Sequence, residues 1–286
     1  MQHNNILMSL FYCGLIGVFG SCSKSDSPTT KPPVTPPISV QVKSDSQFGS
    51  VLTDENGKTL YFFSHDASDT SSCSGACIVT WPVFYKDSAT FDASLTKADF
   101  GTITRSDGSK QSTYKGWPLY YFKNDANAGD IQGDGVGGIW FVAKPDYTVM
   151  LSSGQLVGND GIQYDSTYVA GTGKTQYLTD DRGVTLYSFS FDSSANNNYT
   201  DADFSNDSFW PIVQITTVGS VPSIFDKSWF STTSVFGKTQ LTFKGWPVYR
   251  FGPDALTRGN TKGVSVPHPG VWPVMDQFSP LAPIAL

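Results

Sequence analysis

The sequence predicts an all-β protein that is internally duplicated, built from four short β modules arranged either like a propeller or as two packed small β units. Three observations lead there. The first is a long-range repeat: Leu52-Thr53-Asp54, Gly57 and Thr59-Leu60-Tyr61 return as Leu178-Thr179-Asp180, Gly183 and Thr185-Leu186-Tyr187 at a constant offset of 126 residues. Lys115-Gly116-Trp117-Pro118-Leu119-Tyr120 returns as Lys244-Gly245-Trp246-Pro247-Val248-Tyr249 at an offset of 129. The second is a shorter motif, Tyr-x-Phe-x-x-Asp, present twice in each half as Tyr61/Phe63/Asp66, Tyr120/Phe122/Asp125, Tyr187/Phe189/Asp192 and Tyr249/Phe251/Asp254. The third is composition. Glu55 is the single glutamate among 25 acidic residues, and a chain rich in Asp, Asn, Ser, Thr and Gly favours tight turns over helices. Apolar residues at three-and-four spacing, the mark of an amphipathic helix, are not evident.

The elements follow in order. Ser50–Thr53 and Thr59–Phe63 read as a hairpin around Asn56-Gly57, with Leu178–Thr179 and Val184–Phe189 as its copy around Gly183. Further strands are expected at Gln111–Tyr114, Leu119–Phe122, Ile139–Ala143, Thr148–Leu151, Gln240–Phe243 and Val248–Phe251. Residues two apart on a strand share a face, so Tyr and Phe of each motif point to a core. The residue between them, Phe62, Tyr121, Ser188 or Arg250, points to a variable face. The motif Asp then closes a turn by accepting backbone N–H bonds. Five Trp-Pro pairs, at Trp81, Trp117, Trp210, Trp246 and Trp272, read as strand entries with Trp packed inward rather than as sugar-stacking platforms.

Ahead of the repeats, residues 1–21 have the layout of a secretory signal peptide, with an apolar run from Ile6 to Gly20. That run is too short to read as a membrane-spanning helix. The sequence Phe19-Gly20-Ser21-Cys22 resembles the bacterial lipobox, and the resemblance implies acylation of Cys22 as a membrane anchor. Residues 22–39 form a linker rich in Ser, Thr and Pro, which cannot bury a core. The first β half is assigned to 40–155 and the second to 156–286. Ser23 after Cys22, rather than Asp, is compatible with sorting to an outer membrane if the source is Gram-negative. With 19 basic against 25 acidic residues the surface does not suit nucleic acid.

The Tyr-x-aromatic-x-x-Asp repeats, Cys73-x-x-x-Cys77 followed by Trp81-Pro82, and Gly116-Trp117-Pro118-Leu119-Tyr120 leading to Gly129-Asp130, Gly133 and Gly138-x-Trp140 together resemble the bacterial secreted repeat of unknown function. The resemblance covers residues 50–145 closely and 175–275 more loosely, where Ala202 and Asn206 stand at the cysteine positions. It implies an exported repeat architecture and transfers no chemistry.

Candidate chemistry is sparse. Cys73 and Cys77 lack the pattern of haem attachment or of a zinc site, so a local disulfide is expected, with a redox-active pair as the alternative. His65 and His268 have no histidine counterpart in the other half, and no paired-carboxylate or Ser-His-Asp pattern accompanies them. Calcium is the cofactor two oxygen-rich loops would suit, through Asp125, Asn127 and Asp130 or through Asp201, Asp203 and Ser205; solvated turns are the plainer reading. The expectation is a non-enzymatic, lipid-anchored envelope protein whose β surface meets an envelope protein or glycan.

Overall fold

The computed structural model describes residues 38–68 and 70–285. The expected signal peptide, the lipidation site Cys22 and the linker up to residue 37 lie outside the described residues. Ser39, given to the linker above, already belongs to the fold: it is buried and its N–H donates to Thr90 O at 2.8 Å.

Two- and three-stranded antiparallel sheets make up the body, with a single α-helix among the described residues. In the first half β1 (Val40–Asp45) pairs with β2 (Gly49–Asp54) from Val40↔Asp54 to Asp45↔Gly49. The expected turn at Asn56-Gly57 forms: Gly57, at φ +79°, donates to Asp54 O, and Asp54 Oδ1 accepts from the N–H groups of Asn56 and Lys58. The hairpin it was expected to close is limited to the bridge Thr53↔Thr59. The ladder of β3 (Tyr61–Phe63) runs instead to β7 (Trp140–Val142), as the chain diverges after the bridge and Ala143, following β7, bonds both Leu52 and Leu60. The alternation Val40-Gln41-Val42-Lys43 was the sequence sign of β1.

A three-stranded sheet follows, formed by β4 (Phe100–Thr104), β5 (Lys110–Tyr114) and β6 (Trp117–Pro118). Between β5 and β6 both Lys115 (φ 50°) and Gly116 (φ 82°) take left-handed geometry, the requirement of a two-residue hairpin turn that matches strand twist. The Lys-Gly-Trp repeat is therefore a turn signature first. Leu119–Phe122, expected as a strand, contributes only bridges from Tyr120 to Tyr61 and Val83.

The second half repeats this plan. β8 (Val149–Gly154) pairs with β11 (Thr175–Asp180) as β1 does with β2, so the opening strand of the second half lies before residue 156. The hairpin of β9 (Leu156–Val157) and β10 (Gln163–Tyr164) is inserted between them. β12 (Phe230–Val235), β13 (Lys238–Phe243) and β14 (Trp246–Pro247) repeat the three-stranded sheet, with Lys244 and Gly245 again at positive φ. Val184–Phe189 and Val248–Phe251 are joined through bridges at Thr185, Tyr187 and Tyr249 rather than as continuous strands.

Each half buries two opposite faces. Tyr61, Phe63, Trp81, Tyr120, Phe122 and Trp140 fill one core of the first half, while Phe62 enters the other with Leu52, Leu60, Phe84 and Leu119. Phe62 is 2% exposed and Ser188 4%, so the face expected to be variable is itself a core at these two positions. Its tolerance has a different cause: Tyr121 and Arg250 are half-buried and each bonds a carboxylate of the preceding turn, Asp54 and Asp180 respectively. Between the halves, Lys115 Nζ reaches Asp181 Oδ2 at 2.7 Å, Arg182 pairs with Asp99 at 2.6 Å, and the Arg258 guanidinium lies 4.4 Å from the centre of the Trp117 ring.

Candidate functional site

The four motif copies are interlocked in pairs. Tyr61 N–H donates to Tyr120 O at 2.9 Å and Tyr120 N–H to Tyr61 O at 3.1 Å, and Tyr187 and Tyr249 exchange the same two bonds. Each tyrosine hydroxyl then crosses to the aspartate of the other copy: Tyr61 to Asp125 and Tyr120 to Asp66, both at 2.6 Å, Tyr187 to Asp254 at 2.7 Å and Tyr249 to Asp192 at 2.8 Å. The second oxygen of each carboxylate accepts a backbone N–H, from Ser72, Gln132, Asn198 or Lys262. Burial pushes all four aspartates above the ordinary carboxylate range, Asp192 and Asp254 to about 6. It pushes the four tyrosines up as well. These groups close loops inside a core, and their hydrogen-bonding capacity is directed at each other. A Cβ on Gly133 would come within 2.8 Å of the Tyr61 ring, and one on Gly263 within 2.7 Å of Trp210, so both loops need glycine to reach the tyrosine hydroxyls.

Beside each pair stands a column of stacked rings. In the first half it runs Phe122, Trp81, Trp140, Phe63, His65, with successive centroids 4.3, 3.8, 4.0 and 4.7 Å apart. In the second it runs Phe251, Trp210, Trp272, Phe189, at 4.4, 3.7 and 4.4 Å. Four of the five Trp-Pro tryptophans are buried, and Trp246 is half-buried. The faces of Trp81, Trp210 and Trp272 are covered by other rings rather than open for stacking on a ligand.

Cys73, ahead of α1 (Ala76–Thr80), and Cys77, in its first turn, form a disulfide with their Cα atoms 5.3 Å apart. Cys73 is buried in the aromatic core, and its carbonyl accepts from Arg105. His65 ends the first ring column, and His268 lies exposed in the second half. In the oxygen-rich loops, Asp130 accepts from Asn127 N–H at 2.8 Å and Asp203 from Ser205 N–H at 3.0 Å, while Asp201 is exposed. Among the described residues no group of three or more His, Cys, Asp or Glu side chains is placed to hold a metal ion.

A cleft of about 700 Å³ opens in the second half, lined by Asp180, Arg250, Gln214, Thr217, Lys238 and Thr239 among others. Arg250 Nη2 holds Asp180 Oδ2 at 2.9 Å on its wall. At the corresponding place in the first half, Lys86 spans to Glu55 and the Tyr121 hydroxyl bonds Asp54 at 3.0 Å. Ile215 replaces Lys86 at the 129 offset and Asp181 turns away to Lys115, so the crossing pair is missing from the second half. Apart from Asp180, in the Leu178-Thr179-Asp180 repeat, and Arg250, the cleft residues named above carried no motif; the sequence signal was the exchange of Tyr121 for Arg250 at one repeat position.

A family model described as a secreted repeat of unknown function matches the chain twice, at residues 44–85 and 101–144. Both matches fall in the first half. No curated protein and no solved structure matches the chain. Each matched secreted repeat carries one Tyr-x-Phe-x-x-Asp motif, and the Tyr61–Asp125 and Tyr120–Asp66 bonds tie the two into one unit. The description implies export out of the cytoplasm. The second half repeats the strand pairing of the matched half but lies outside the matched residues.

Proposed function

We propose that this chain is an exported, lipid-anchored binding protein without catalytic activity, in which the first half is chiefly structural and the second half holds a saccharide in the Asp180–Arg250 cleft. The observation that carries the reading is the contrast between equivalent positions. Where the first half has Lys86 bonded to Glu55, the second half has a cleft whose walls offer the Thr217 and Thr239 hydroxyls, the Gln214 amide and an Arg–Asp pair. Donors and acceptors from the end of β11 (Asp180), from β13 (Lys238 and Thr239) and from residues 214–217 suit a hydroxyl-rich solute. The anchor follows from the apolar leader ending at Cys22 and the Pro-rich stretch before Ser39. Calcium is a weaker reading, since Asp125 already gives one oxygen to Tyr61 and the other to Gln132.

Oligomers of N-acetylglucosamine, followed by other envelope-type oligosaccharides, are the probes. Titration followed by NMR is expected to shift the signals of Thr217, Thr239 and Arg250, and Thr217→Trp, which fills the cleft from an exposed position, is expected to abolish the shifts. Absence of shifts with every saccharide into the millimolar range overturns the saccharide reading. Binding that survives Thr217→Trp overturns the cleft. For the anchor, Cys22→Ser is expected to abolish acyl labelling and detergent partitioning; unchanged partitioning refutes it.

A further inference from the structure

The Lys-Gly-Trp turn of each half presents three groups to whatever packs on it: the lysine ammonium, the lysine carbonyl and the indole N–H. In the first half the rest of the chain takes all three. Lys115 Nζ donates to Asp181 Oδ2 at 2.7 Å and to Pro145 O at 3.0 Å, Trp117 Nε1 donates to Asp181 O at 3.1 Å, and Lys115 O accepts from Arg258 Nη1 at 3.1 Å. In the second half the C-terminal segment takes the same three. Lys244 Nζ donates to Gln277 O at 2.7 Å and Ser279 O at 2.8 Å, Trp246 Nε1 donates to Pro280 O at 2.9 Å, and Lys244 O accepts from Ala282 N–H at 2.9 Å. The glycines correspond too: a Cβ on Gly116 would meet Arg258 at 3.0 Å, and one on Gly245 would come within 3.2 Å of the Ala282 Cβ.

We propose that residues 277–283 are a cap over a repeat-docking face, and that without the cap this face accepts the Asp54–Gly57 turn of a second copy of the chain. That turn is the counterpart of Asp180–Gly183, the turn that docks between the halves. Both are closed by the same bonds, Gly57 N–H to Asp54 O and Gly183 N–H to Asp180 O, and Glu55 stands where Asp181 supplies its carboxylate, so that docking exchanges its bond to Lys86 for one to Lys244 of the second copy. The contact joins unlike surfaces, so it propagates as a head-to-tail chain rather than closing as a symmetric dimer. Repeat proteins stay soluble by ending such arrays with an atypical terminal element.

The strength of the docking differs between the two settings. Ala128 stands at the place of Arg258 and Asn56 at that of Arg182, so a second copy offers fewer contacts than the second half does. The cap is held mainly through backbone carbonyls and one N–H, with Phe278 79% and Leu281 75% exposed. Its advantage is attachment to the same chain, equivalent to a local concentration of roughly millimolar. The intact protein is therefore monomeric.

The test is the mature exported chain with a stop after Asp276, followed by light scattering across the micromolar range. The expected result is a mass that rises with concentration beyond two copies, falls back when a synthetic peptide of residues 277–286 is added, and stays at one copy when Glu55→Lys is combined with the truncation. A truncated chain with native circular dichroism that remains monomeric overturns the proposal, as does assembly indifferent to Glu55→Lys. Should the truncated chain fail to fold, Ala282→Pro in the full-length chain removes the N–H that meets Lys244 O. It is expected to associate more weakly but measurably, and a strict monomer there overturns the proposal.

Discussion

The Tyr61 hydroxyl lies 2.6 Å from a carboxylate oxygen of Asp125, 64 residues away, so each motif copy is completed by its neighbour rather than by itself. Removing the hydroxyl strands a buried acceptor. Tyr61→Phe is expected to cost about 2 kcal/mol, and the double variant with Asp125→Asn less than the sum of the single changes. Urea denaturation of the four-member cycle measures the coupling; strict additivity would show that the two groups do not act as a pair.

The aspartates give a pH dependence of defined sign. Asp192 and Asp254 titrate near 6 in the folded protein, against about 3.9 for an unfolded aspartate. Between these values the native state holds the extra protons, so the contribution of these two groups to stability falls as pH rises from about 4 to about 6 and levels off above. Asp66 and Asp125 are shifted the same way and add to the slope. Carboxyl carbon shifts in NMR provide the direct check. Midpoints near 4 for Asp192 and Asp254 would contradict it.

Truncating rings on the two faces separates packing from pairing. Phe122→Ala, Phe251→Ala and Phe62→Ala are each expected to cost about 3–5 kcal/mol, because all three rings sit in cores. Arg250→Ser, which the sequence pattern alone would rank as nearly neutral, is expected to cost about 1–2 kcal/mol by leaving the Asp180 carboxylate without its guanidinium. Thermal denaturation that ranks Arg250→Ser with exposed-site changes would remove that role.

Reduction of Cys73–Cys77 opens a short loop, for which chain entropy alone gives about 2 kcal/mol. The urea midpoint is expected to fall by a corresponding amount on adding reductant, and to be insensitive to reductant in Cys73→Ser/Cys77→Ser. Freely alkylated thiols in correctly exported protein would refute the bond.

The duplication was legible from constant long-range offsets, and the buried aromatics and aspartate turns from local spacing: a period of two on strands, Gly at the Asn56-Gly57 turn, Asp after an aromatic pair. The crossing from Tyr61 to Asp125 was not, since nothing in a linear motif says which copy supplies its partner. Nor was the second core, for Phe62, Tyr121, Ser188 and Arg250 look permissive in a column of letters. Their permissiveness reflects four different solutions to the same buried or half-buried position. The cleft escaped notice because it is made by a lost ion pair, and a missing partner leaves no motif.

The Cys73–Cys77 bond also divides the chain in time. Ala202 and Asn206 occupy its place in the second half, where Asn197 bonds Thr200 and Gln240; the cap on the motif aspartate is common to both halves, from Ser72 to Asp66 and from Asn198 to Asp192. Both halves thus close this loop with hydrogen bonds, and the first adds a covalent bond that forms only by oxidation. The first half therefore reaches its final bonding only after oxidation, whereas the second half needs none, and the two halves mature by different chemistry.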